Sequence, residues 1–126
     1  MDNEAYKEEL RKRTARQKQL DGIVNAAVAC VKGRIRDSSP PVSSHLFYGA
    51  SAIHPKHLVT WYVFQNDSDL AAAREGGLTI AIDIFTREEL ERAGYPSEGL
   101  QLMKVAFTSD EDIQRTTGGN YWTYFK

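Results

Sequence analysis

Cysteine is nearly missing from this chain: Cys30 is the only one in 126 residues. A single thiol excludes an internal disulfide framework. Long apolar runs are missing too. The longest, Ile23 to Val31, is interrupted by Asn25 and falls far short of the ~20 residues needed to span a bilayer, so no membrane association is expected. The opening Met1-Asp2-Asn3-Glu4 is acidic and has no apolar stretch behind it, so it does not read as a secretory signal. A cytoplasmic location is the resulting expectation. The chain also lacks the motifs G-x-x-x-x-G-K-S/T, G-x-G-x-x-G, H-E-x-x-H, G-x-S-x-G and C-x-x-C. Without them nothing announces phosphate cradling, dinucleotide binding, zinc proteolysis, a nucleophile elbow or dithiol exchange, and no cofactor is implied.

What is present is an ordinary globular composition, 41% hydrophobic and 26% charged. A chain of this length buries roughly 65–70% of its unfolded surface, enough to fold without a metal or disulfide. The net charge of -1 hides a division. Residues 1–36 hold nine Lys/Arg against five Asp/Glu, a surplus of +4, and residues 37–126 hold seven against twelve, a deficit of -5. The basic excess is densest in Arg11, Lys12, Arg13, Arg16 and Lys18. A basic helix on an acidic body fits either a solvated or self-attracting helix or an arm for nucleic acid.

Helical periodicity dominates residues 4–35. Leu20, Val24, Ala27, Val31 and Ile35 share one face, widened by Ile23, Val28 and Cys30, so this part docks on a core. Residues 1–19 carry only Tyr6 and Leu10 as apolar anchors and read as an exposed basic extension, with Gly22 marking a junction and residues 20–126 forming one α+β domain. Two prolines, Pro40 and Pro41, among serines then break regular structure. His45–Ile53, with Gly49 as a bulge, and Leu58–Phe64 follow as a hairpin of β-branched and aromatic residues.

Asn66 to Asp69 supplies capping chemistry for a helix that Gly76-Gly77 closes. Leu78–Phe85 has two readings. The alternation of Ile80, Ile82 and Ile84 argues for a strand, and Thr86-Arg87-Glu88-Glu89 has the form of a capping box that opens a new helix to Ala93. The competing reading is one helix, capped by Thr79 and running on to Ala93, that buries Ile82 and Phe85. The first is adopted. Leu102–Thr108 reads as a strand, Ser109 and Asp112 as the capping box of a short helix, and Tyr121–Lys126 as a terminal strand. The expected fold is therefore α+β: an N-terminal helix packed on a largely antiparallel sheet of four to five strands, with short helices between them.

Several residue groups could carry chemistry. His54 and His57 lie three apart in a turn, near His45, and are weak candidates for metal ligation or acid–base work. Asp83, on a strand face opposite the isoleucines, would need solvent or a partner; most other carboxylates sit in helix first turns, where the macrodipole favours them. Cys30 is expected to be buried and inert. Trp61, Trp122 and Tyr124 alternate with core positions on two strands. A sheet face left uncovered would show these rings to solvent, as recognition surfaces do.

The opening helix, the hairpin from His45-Leu46-Phe47-Tyr48-Gly49 to Leu58-Val59-Thr60-Trp61-Tyr62-Val63-Phe64, and the ending Gly118-Gly119-Asn120-Tyr121-Trp122-Thr123-Tyr124-Phe125-Lys126 resemble small bacterial α+β proteins of uncharacterised function. Immunity proteins encoded beside toxins are similar in size and style. The resemblance implies a binding protein and transfers no functional residue. The expectation is thus a non-catalytic protein-binding module, such as an immunity protein that blocks a toxin, contacting it through Trp122, Tyr124, Trp61 and Asp83. An acidic body suits a basic partner. The first alternative is a nucleic-acid binder using the five basic residues above and an aromatic sheet face. The second is a small enzyme combining His54 or His57 with Asp83.

Overall fold

The computed structural model describes residues 3–125. Helix α1 (Asn3–Arg34) leads to strand β1 (Val42–Tyr48), and a single 3-10 turn at Pro55–His57 precedes β2 (Val59–Phe64). Three helices follow, α2 (Asp67–Glu75), α3 (Leu78–Arg92) and α4 (Ser97–Leu100), before β3 (Lys104–Ser109), α5 (Asp110–Thr117) and the single turn α6 (Tyr121–Tyr124). No helix among the described residues is long and apolar enough to cross a membrane. Residues 1, 2 and 126, parts of the expected extension and terminal strand, lie outside the described residues.

The sheet corrects the expected architecture. It has three strands in the order β1-β2-β3, with β1 antiparallel and β2–β3 parallel, not four or five largely antiparallel ones. The hairpin pairs locally, as its short connection demands. A parallel neighbour needs a crossover of a dozen residues or more, and α2, α3 and α4 supply one between β2 and β3. The missing strands are the two segments that became helix.

Leu78–Phe85 is the first of these. No strand forms there, because Gly77, at φ +81, opens a helix that runs unbroken to Arg92. The isoleucine alternation splits accordingly, with Ile82 buried and Ile80 and Ile84 exposed. Thr86 does not cap a new helix. Its buried hydroxyl donates to the Ile82 carbonyl (2.7 Å) and lies 2.8 Å from the Tyr62 hydroxyl of β2. Glu89, also buried, is held by Arg34 at 3.2 Å and Arg92 at 2.7 Å. Both side chains that made the capping box therefore have partners in the core or from another helix.

The terminal segment is the second. Gly118 and Gly119, both at positive φ, end α5, and the Asn120 side chain accepts from the Thr123 N–H, capping α6. Tyr121–Tyr124 is thus a turn of helix laid on one sheet face, not a further strand on its edge. The sequence reading was right about α2, capped by Asn66, and about α5, where the Ser109 hydroxyl accepts from Asp112 N–H at 3.0 Å.

Strand alternation divides the sheet. Phe47, Thr60, Tyr62, Phe64, Val105 and Phe107 face the helices α1 and α3; Leu46, Tyr48, Val59, Trp61 and Ala106 face the other way. The core is continuous along α1: Leu20, Val24, Ala27 and Val28 meet Leu58, Leu90, Tyr95 and Met103, and Val31 and Ile35 meet Tyr62, Phe64, Ala73 and Ile82. Helix α1 is one helix and not two, with Gly22 in its interior, and Cys30 is exposed, on the flank of the buried stripe. Gly49 is not a bulge; the register irregularity of β1 lies at Val42/Ser44. Gly49 ends the strand at φ +126, and a Cβ there would sit 2.0 Å from the His57 carbonyl oxygen. Only glycine fits this corner.

Candidate functional site

The outer sheet face is half covered. At the β3 end, the Tyr124 hydroxyl bonds Thr108 at 2.6 Å and Asp112, so α6 closes over that side. Phe125 stacks edge-on against Trp61, ring centroids 5.1 Å apart, and also meets Tyr121 and Tyr124. Trp61 donates its indole N–H to the Tyr48 hydroxyl at 3.1 Å. Toward the free edge of β1 the cover stops. There Leu46, Phe47, Tyr48, Tyr121, Trp122 and Phe125 line a cleft of about 380 Å³. Trp122 stands at its lip, 80% exposed.

Carboxylates border these rings. Asp110 accepts from the Tyr121 hydroxyl and, at 2.9 Å, from Ser43 of β1. Asp112 is held below the usual carboxylate range chiefly by the Tyr124 hydroxyl and then by Arg115. Asp67 is lowered in the same way, first by Ser109 and then by Arg115, which it meets at 2.9 Å. Trp61, Tyr124, Asp67, Asp112 and Arg115 line a second cleft of about 370 Å³ next to the first. Three of the four aromatic or acidic contact candidates, Trp61, Trp122 and Tyr124, therefore converge on one face.

Asp83 does not join them. It is a helical residue of α3, on the opposite side of the sheet, paired with Arg87 at 2.7 Å. Arg87 in turn donates to the carbonyls of Leu100 and Met103, tying α3 to the approach of β3. The pairing gives this carboxylate the partner its position required. Tyr48, Leu46, Tyr121 and Phe125 were missed as members of the cleft. Strand alternation in Leu46-Phe47-Tyr48 carried the signal for the first two.

The histidines divide as well. His54 and His57 flank the 3-10 turn, their rings 6.3 Å apart, and His54 Nδ1 accepts from the Lys56 N–H at 3.0 Å. No group of three or more His, Cys, Asp or Glu side chains is disposed to hold a metal among the described residues. His45 lies on the core-facing side of β1, 4.7 Å from the Tyr62 ring. Burial, with the Lys32 charge, pulls it down to about 4. Tyr62 itself is pushed up to about 12, mainly by burial.

The five basic candidates are exposed along the N-terminal half of α1. At 100° per residue, Lys12, Arg13 and Arg16 fall on one side of the helix and Arg11 and Lys18 on another. Arg11 is engaged by Glu8 at 3.2 Å and Arg16 by Gln19 at 2.9 Å. They ring the helix and do not form one phosphate-tracking stripe.

Fold and cleft together define a three-stranded mixed α+β protein with a half-open aromatic sheet face. The chain matches no protein-family model, no curated protein and no solved structure.

Proposed function

We propose that this protein is a non-catalytic protein-binding module whose contact surface is the aromatic cleft on the outer sheet face. The observation that carries the reading is Trp122, a large apolar side chain 80% exposed beside a cleft of Leu, Phe and Tyr side chains. A ring of this size left in water forgoes about 2 kcal/mol of transfer free energy, and tryptophan and tyrosine are the residues that most often anchor interfaces. The free edge of β1 adjoins the cleft and offers backbone groups for an added strand. The carboxylates of Asp67, Asp110 and Asp112 border the same surface and favour a basic partner. A toxin neutralised in the manner of an immunity protein is the partner this reading adopts.

Affinity purification from the native host, with the full chain and with a Trp122→Ala variant side by side, tests it. The expected result is a basic protein retained by the parent and lost from the variant, then titrated as a purified pair. Identical recoveries from both baits, across several salt concentrations, refute the assignment of the cleft.

A further inference from the structure

The heptad-like spacing of the α1 core stripe does not stop where the core stops. Tyr6, Leu10, Arg13, Gln17, Leu20 and Val24 follow one another at alternating intervals of four and three residues, the seam pattern of paired helices. From Leu20 onward this seam is buried in the chain's own core. Gln17 is the transition, donating to the Gly49 carbonyl at 3.3 Å and accepting from the Ala52 N–H at 2.9 Å. Ahead of it residues 3–16 are all exposed, with Tyr6 at 55% and Leu10 at 42%. A helix of that length with nothing against it is marginal in water, and its two apolar side chains lie in line with the buried ones.

We infer that this half of α1 pairs with the same half of a second copy, antiparallel across a two-fold axis. Parallel pairing is blocked, because beyond Leu20 each helix already presents the seam to its own sheet. In the antiparallel arrangement Leu10 packs against the stem of Arg13 from the other copy, and Tyr6 meets Gln17. At that point a groove of about 680 Å³, lined by Arg13, Thr14, Gln17, Asp21, Gly22 and Ile53, receives the tyrosine ring. An apolar side chain at its wall, Ile53, is 63% exposed and gives the incoming ring a contact.

Charge favours the same register. The seam positions just outside the apolar line are Glu9 and Arg16 on one flank and Lys7 and Thr14 on the other. Antiparallel two-fold pairing sets Glu9 of each copy beside Arg16 of the other, giving two symmetric ion pairs, and sets Lys7 beside the neutral Thr14. Two short helices bury less than the ~1,200 Å² of a standard interface, so the association is weak and concentration-dependent.

Sedimentation equilibrium of the full chain, up to millimolar concentration, reads it as apparent mass rising from the 14.2 kDa of one chain toward twice that. Leu10→Glu abolishes the rise. Glu9→Arg and Arg16→Glu each weaken association about tenfold, as expected for two opposed pairs turned into like charges, and the double variant restores it. All three substitutions change exposed residues, and unchanged unfolding midpoints verify that each variant is folded. A parent that stays monomeric at millimolar concentration overturns the inference, also if it then binds duplex nucleic acid. So does a dimer indifferent to Leu10→Glu, or a double variant no better than the single ones.

Discussion

His45 couples the stability of the fold to pH, and the size of the coupling follows from where the imidazole sits. Its ring lies between Tyr62 and Phe47 on the core side of β1, and Nε2 is buried without a hydrogen-bond partner. A proton added there would be charged, poorly solvated and near Lys32, so burial first and that charge second lower the group from 6.5 to about 4. The lowered value belongs to the folded state of a base. Below the unfolded value the open chain takes up a proton that the folded chain refuses. Stability is therefore complete above about 6.5 and drains as pH falls toward 4. At about 1.4 kcal/mol per unit the ceiling is about 3 kcal/mol, and screening of a partly exposed ring brings it to about 2 kcal/mol. Urea unfolding followed by tryptophan fluorescence, from neutral pH down to about 4, measures it against His45→Phe. Phenylalanine fills the same aromatic slot and cannot titrate, and the carboxylates lowered in the fold, Asp67 and Asp112, act equally in both proteins. The parent should lose about 2 kcal/mol more than the variant over that interval. Parallel curves would refute the reasoning.

Two further perturbations probe the frame around the site. Gly49→Ala forces a Cβ into the His57 carbonyl at positive φ and should cost about 3 kcal/mol, measured as a drop in unfolding midpoint; a loss near zero would mean the corner can open freely. Thr86→Val leaves the Tyr62 hydroxyl buried without its partner and should cost about 2 kcal/mol, whereas adding Tyr62→Phe should cost little more. Strictly additive losses in that double-mutant cycle would show that the two hydroxyls are not coupled.

Much of the fold was legible where local chemistry and packing agree. The hairpin, the caps at Asn66 and Ser109 and the core stripe of α1 are all decided by spacing and by residues within a few positions of each other. Leu78–Phe85 was not, because an alternation of isoleucines satisfies a strand locally, while the partner that makes Thr86 a core residue, Tyr62, lies 24 positions away. Tyr121–Tyr124 failed for a related reason. Its aromatics suit a strand, but the rings they pack on, Trp61 above all, already occupy the sheet face. Of the cleft, the sequence disclosed the exposed Trp122 and the companions Trp61 and Tyr124, but not that β1 and α6 would close two walls around them. Asp83 was misplaced because its neighbour Arg87 becomes a partner only at helical spacing.

The mixed pairing of the sheet has a kinetic consequence. Joining β1 to β2 closes a connection of ten residues (49–58), whereas joining β2 to β3 closes one of 39 (65–103). Chain-closure entropy alone separates the two events by about 1 kcal/mol, and the longer one must also wait for α2 and α3 to settle. The hairpin therefore assembles early and β3 late, with α5 and α6 docking after it. Until that last step, Leu46, Tyr48 and Trp61 present a wider aromatic sheet than the finished protein does. The nascent chain is stickiest on the very face that later carries the aromatic cleft.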